Sequence, residues 1–467
     1  MKMHTTDNFF RRSPGSQTRF DCRDNKPRIA LITPYTGGNF GDAAIQDAMI
    51  ANIHLRLPDA LVSGISLNSD NFLQRHGVVK AFPLLAHIQH QGIFQISERQ
   101  QAVPASRRPL PRSSFVEKVR SILKALPLAS RFLRFAKRIL REVDHFLAGY
   151  RFLRDQDLLI VCGGGQLNEE YDGPWRHPFG IFKWAAMAQL ARVEFAVVSV
   201  GAGTIVSPAS KILISWALRM ADYRSYRDEG SKRAVCGILK SARGDWIVPD
   251  LAFSAPKAHF PPPEDIRTLA QSRPIIAISP MAIGKPGFAP KDDSVLYARY
   301  LREMSHIISS LLRQGNFLVF SISCLDEDQQ VTQDLIDLLD VGDAHKIAEQ
   351  AYFPRVSTWQ EFVANIRDVD LLIGSRLHSI ILGFVSGVPA IAVSPAAKVD
   401  SVMTDLGQTR YLFKVDEFVC ENVLEAVADL RQQKAAVLQE ISARQRDMRR
   451  LSASQYDILA SLAQARG

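Results

Sequence analysis

Residues 28–42 read RIALITPYTGGNFGD. Arg28 to Pro34 is an apolar run of strand length, Gly37 to Gly41 is a glycine-rich loop, and a helix follows from about Asp42. A strand without polar alternation is buried on both faces, as in a parallel sheet covered by helices. The signature repeats: Asp157 to Cys162 (DLLIVC) precedes Gly163-Gly164-Gly165, and Val193 to Val200 precedes Gly201-Ala202-Gly203. Residues 223–227 precede a helix from Asp228, and residues 369–373 precede Gly374-Ser375-Arg376. Further strands are predicted at 61–67, 246–250, 274–280, 317–323 and 389–393. This alternation predicts an α/β protein: two Rossmann-like domains, with mainly parallel sheets, facing a cleft. The N-terminal domain spans 27–253 and the C-terminal domain 266–420. A linker at 254–265 (SAPKAHFPPPED) joins them, stiffened by three consecutive prolines. Residues 1–26 read as a flexible polar tail, 68–156 as an insert, and 421–467 as a closing polar helix.

The chain has 467 residues, 46% hydrophobic and 22% charged, which excludes a disordered or fibrous protein. Its five cysteines form no CxxC and no zinc-ligand spacing. They fit a reducing, cytoplasmic compartment and predict no metal. The N-terminus lacks the apolar core of a secretory signal. Ile380 to Ala397 carries no charge over 18 residues, but Gly383, Gly387, Pro389 and Pro395 divide it, so a membrane span is not expected.

Net charge is +9, yet residues 104–154 alone hold 13 Lys/Arg against 3 Asp/Glu, leaving −1 for the rest. The protein is therefore not generally basic, and nucleic acid is not an expected partner. Within the insert, 128–147 reads LASRFLRFAKRILREVDHFL. At helical spacing Phe132, Ala136, Ile139, Leu140, Val143, Phe146 and Leu147 share one face, and Arg131, Arg134, Lys137, Arg138 and Arg141 the other. Such a helix either packs its apolar face on the domain or lies peripherally on an anionic membrane surface, at the inner face of the membrane.

Five loops follow strands and so face the cleft. In the first, Gly38, Asn39 and Gly41 allow close ligand approach; Asp42 reads either as the helix N-cap or as a carboxylate able to take a proton from a sugar hydroxyl. The loop lacks the G-x-G-x-x-G spacing, so no dinucleotide and no other cofactor is expected. The second offers Gly164, Gly165 and Gln166 beside Cys162, which reads as a small core residue. The third offers Gly201 and Gly203. The fourth places Arg227, a planar fork for carboxylate or phosphate, at a strand end, with Asp228 as N-cap. The fifth sets Ser375, Arg376, Leu377 and His378 in a first helical turn, where free N–H groups favour an anion; Ser375 is the expected cap.

Taken in order, GNFGDAAI, VCGGGQL, SVGAG, SYRDEGS with VPDLAF, IGSRLHSI and GVPAIAVSPAAKVDSVMTDLG resemble the polysaccharide pyruvyl transferase family, from about Arg28 to Gly407. The resemblance implies a GT-B-like fold and transfer of a pyruvyl group from phosphoenolpyruvate onto sugar hydroxyls as a ketal. The work implied is exopolysaccharide or cell-wall glycan biosynthesis, with a saccharide acceptor, free or lipid-linked. It implies that Arg227, Arg376, Leu377 and His378 hold the donor, with Ser375 and Lys398 beside them. Ketal formation needs an acid at the methylene carbon and a base at the sugar hydroxyl; His378 and Asp42 are the candidate catalytic residues, and the sequence does not single out the base. Two other functions fit the same architecture: a nucleotide-sugar glycosyltransferase of GT-B type, and a catalytically silent, membrane-associated glycan-binding subunit.

Overall fold

The computed structural model describes residues 26–33, 37–77, 80–86, 127–170, 173–240, 244–256, 265–287 and 292–465. Nearly all of the expected N-terminal tail, the proline triplet of the expected linker and the Pro-rich opening of the insert lie outside the described residues.

Two sheets are present, and every paired strand in both is parallel. The first comprises β1 (Arg28–Thr33), β2 (Leu61–Ser66), β3 (Ala81–Pro83), β4 (Leu158–Cys162), β5 (Glu194–Val200), β6 (Tyr223–Tyr226) and β7 (Trp246–Ile247), in the order β3-β2-β1-β4-β5-β6-β7. The second comprises β8 (Ile275–Ser279), β9 (Phe317–Phe320), β10 (Ala351–Tyr352), β11 (Leu371–Gly374), β12 (Ala390–Ser394) and β13 (Leu412–Lys414), in the order β10-β9-β8-β11-β12-β13. The order reverses between β1 and β4, and again between β8 and β11. Such switch points open a crevice at the carboxyl ends of the strands.

The strand period of two explains why β1 must be apolar throughout. Ile29 and Leu31 point into one core, Ala30 and Ile32 into the other. Leu158, Ile160 and Cys162 of β4 follow the first pattern, Leu159 and Val161 the second. The core holding Ile29 continues without interruption into that of the second sheet, and the other lies under α3 (Pro127–Leu153), α4 (His177–Ala191) and α5 (Pro208–Arg219).

Two sets of contacts lock the sheets to each other. On α1 (Phe40–Arg56), Asp47 accepts from Trp359 Nε1 at 2.6 Å and Gln360 Nε2 at 3.0 Å, both on α11 (Trp359–Ile366). The chain end then returns to the first sheet. The expected single closing helix is two: α14 (Cys420–Gln432) and α15 (Lys434–Gln464). Gln455 of α15 accepts from the Tyr223 hydroxyl at 3.3 Å and donates to Ser199 Oγ at 3.0 Å. Ser199 has φ +48° at a register irregularity between β5 and β6, so the helix braces a strained turn just before Gly201.

Residues 69–83, which the sequence reading assigns to the insert, form α2 (Ser69–His76) and β3 of the first sheet. Helix α3 begins beyond them. Phe146 packs on the core, whereas Ile139, Leu140, Val143 and Leu147 stand in solvent. Helices at 341–350 (α10) and 397–405 (α13), absent from the sequence reading, complete the second layer. Among the described residues no helix is long and apolar enough to cross a membrane.

Candidate active site

The loops after β1, β4, β5, β6 and β11 meet at the switch points. Asn39, not Asp42, caps α1: its Oδ1 accepts from Gly41 N at 2.9 Å and Asp42 N at 3.4 Å. Asp42 is thus left for the cleft. Burial raises its carboxyl above the usual range, and Asp250 pushes the same way, against the charges of His378, Lys398 and Arg227.

His378 comes from the other sheet. It lies in the first turn of α12 (Leu377–Val385), and its ring rests on Gly41. A Cβ at position 41 would fall 1.9 Å from Nδ1, so only glycine admits the ring there. Gly201 plays the same part for Arg227: a Cβ would fall 2.5 Å from Cζ of the guanidinium. Arg227 Nε lies 3.2 Å from Asp228, which caps α6 (Glu229–Leu239) through Ser231 N.

Asp250, which the sequence reading did not single out, joins the two. Its Oδ2 is 3.5 Å from both Arg227 Nη1 and His378 Nε2, while Oδ1 accepts from Ala252 N at 3.1 Å. Burial alone would raise this carboxyl; the charges of His378 and Arg227 and the Ala252 N–H outweigh it and hold it at about 2. Asp250 Oδ2 and His378 Nε2 are buried and neither makes a hydrogen bond within the protein. Asp250 sits in VPDLAF, a segment that carries the resemblance without itself marking this aspartate.

Lys398 opens α13, whose N-terminus has no side-chain cap. Desolvation in the cleft, then Arg227 and Arg376, lower its ammonium below the usual lysine range. The N-terminus of α12 has no side-chain cap either. Ser375 does not cap it: its hydroxyl is buried and lies 3.0 Å from that of Tyr300.

Arg376 is engaged elsewhere. Its Nε donates to Asp328 at 2.6 Å, and Nη2 to Glu327, both in α9 (Leu325–Asp337). Asp328 also accepts from Ser323 N at 3.1 Å and Cys324 N at 2.8 Å. Those residues touch the first loop, where Phe40 N donates to Ser323 O at 3.1 Å and Asn39 bridges Cys324. Arg376 therefore braces, through one buried carboxylate, the start of α1, which carries Gly41 and Asp42.

Leu377 is core. Gln166 is fully buried and donates to Ile32 O at 3.1 Å and Cys162 O at 3.0 Å, tying β1 to β4. Gly164 and Gly201 join their loops by a 2.7 Å backbone bond, and Gly203 N donates to Leu167 O at 2.9 Å. Gly38 has open space about it, and Gly165 is exposed. Cys162 is buried, which pushes its thiol up and leaves it inert, as expected of a core residue. Among the described residues no group of three His, Cys, Asp or Glu is arranged to hold a metal.

Two parallel sheets with a site at their facing switch points define a GT-B-type α/β protein. Solved structures share the fold at low identity. UDP-GlcNAc 2-epimerase from Methanocaldococcus jannaschii is 10% identical, with TM-score 0.52 over 91% of this chain and 99% of that one. A UDP-glucose:anthocyanidin 3-O-glucosyltransferase in complex with UDP is 11% identical, with TM-score 0.53 over 94% and 99%. The glycosyltransferase SnogD from Streptomyces nogalater is 14% identical, with TM-score 0.50 over 94% and 99%. No curated protein matches the sequence. The chain belongs to the polysaccharide pyruvyl transferase family, whose model matches residues 39–396.

Proposed function

We propose that the protein transfers the pyruvyl group of phosphoenolpyruvate onto two hydroxyls of a saccharide, forming a ketal, in exopolysaccharide or cell-wall glycan assembly. The observation that carries this reading is the pair of buried atoms, Asp250 Oδ2 and His378 Nε2, without hydrogen bonds and beside Arg227. Phosphoenolpyruvate brings a phosphate, a carboxylate and a methylene carbon that must be protonated. Arg227 and Lys398, with the uncapped first turn of α12, supply positive potential for the two anionic groups. His378, whose Nε2 faces Asp250 Oδ2 at 3.5 Å, delivers a proton to the methylene carbon. The first sugar hydroxyl adds to the resulting cationic carbon and gives its proton to Asp42, whose raised affinity for protons suits a general base. The second hydroxyl displaces phosphate. Of the two hydroxyl protons, one replaces that spent in the new methyl group and the other departs with phosphate. Arg376 serves as a positioning residue, holding the first turn of α1 that carries Asp42.

The test is phosphate release from phosphoenolpyruvate with saccharide diols as acceptors, with UDP- and GDP-sugars as competing donors. Release that nucleotide sugars leave untouched supports the reading. Sugar transfer from a nucleotide donor replaces it with the glycosyltransferase, and turnover of neither donor with the silent glycan-binding subunit.

A further inference from the structure

We infer that α3 is a membrane arm, whose outward face seats on an anionic bilayer on the side where the cleft opens. The inference is independent of the reaction. The C-terminal half of α3 is anchored to the body. His145 Nε2 lies 2.8 Å from Pro83 O, Glu142 pairs with Lys183 at 2.9 Å, and Gly149 lets the helix close on Trp184 and Met187 of α4. Pro83 is the last residue of β3, so His145 marks the level at which the strands end. A crossover helix runs antiparallel to its strands, and Pro127 stands 18 residues before His145. At 1.5 Å per residue the helix therefore projects about 27 Å past the carboxyl edge of the sheet, the edge that bears the site.

The arm's exposed surface is one that water does not favour. Ile139, Leu140, Val143 and Leu147 are 46%, 63%, 48% and 44% exposed, and they share the face opposite Glu142, His145 and Gly149. Arg151, on the last turn, borders the stripe; Lys137 and Arg141 are exposed farther round the same side, with the exposed Asp144 between them and Leu140, and Arg138 turns toward the anchored side. Glu142 is neutralised by Lys183. An apolar stripe with cations along one side, on a chain whose charge is otherwise near balance, complements the interface of an anionic bilayer: acyl boundary for the stripe, headgroups for the cations.

The full-length protein is sedimented with phosphatidylcholine vesicles, with and without phosphatidylglycerol, at low and high salt. Binding is expected only with the anionic lipid, and weaker at high salt. Lys137→Gln/Arg138→Gln/Arg141→Gln should weaken it roughly a hundredfold. Leu140→Glu/Val143→Glu should abolish it while the thermal melt is unchanged, as befits exposed positions. Should that pair unfold, the charge variant alone decides. Absence of binding at low salt overturns the inference, as does binding that both variants retain. A dimer in light scattering that Leu140→Glu disperses, without vesicle binding, overturns it in favour of a second copy on the stripe.

Discussion

The imidazole of His378, from the second sheet, rests on the backbone of Gly41, from the first, so closely that no side chain fits between them. The geometry of the candidate site is thus set by the docking of the two sheets, and a change at Gly41 reports on it without touching a titratable group.

Gly41→Ala should separate folding from function. Gly41 lies in α1 with an ordinary helical conformation, where alanine is favoured by about 1 kcal/mol. The added methyl must displace the ring of His378. The expected result is a melting temperature within a few degrees of wild type and phosphate release reduced about a hundredfold. Activity near wild type would show that the ring has freedom to move without cost.

Asp250 predicts a pH signature. Its folded value of about 2 lies below the ordinary aspartate value of 3.8. Its charge therefore contributes stability that is fully present above about pH 4 and drains away as pH falls toward 2, on the order of 2 kcal/mol. Denaturant unfolding of wild type and Asp250→Asn across that range should show a stability difference that shrinks with acid. A difference independent of pH would remove the charge of Asp250 from the argument.

Arg376→Ala should lower stability by about 3 kcal/mol, because it strands Asp328, fully buried, and Glu327 without their cation. Arg376→Ala/Asp328→Ala/Glu327→Ala should regain part of that loss, and urea unfolding measures both. A single variant as stable as wild type would show that Arg376 braces nothing and is free for the donor.

The strands and their loops were legible because burial on both faces writes an unbroken apolar run, and because glycine is needed where a backbone meets another group: Gly41 under His378, Gly201 under Arg227. Short edge strands such as Ala81–Pro83 leave no such run. Asp250 was invisible since its meaning lies in residues 23 and 128 positions away, Arg227 and His378. The partners of Arg376 were hidden likewise: Asp328 and Glu327 sit among other acidic residues of a helix that reads as a solvated face. Ser375 misled, because a serine before a helix suggests a cap whether or not its hydroxyl turns inward to Tyr300.

The role of His378 stands or falls on single-turnover phosphate release from phosphoenolpyruvate in the presence of an accepting saccharide, with His378→Gln set against wild type. Donor binding is measured in parallel by calorimetry. Glutamine keeps a hydrogen-bonding amide but carries no titratable proton. If His378 is the acid, the variant still binds the donor within about tenfold while the chemical step slows by roughly 10² to 10⁴. A variant that turns over at the wild-type rate would contradict proton delivery by His378 and reduce the residue to a prop for the cleft.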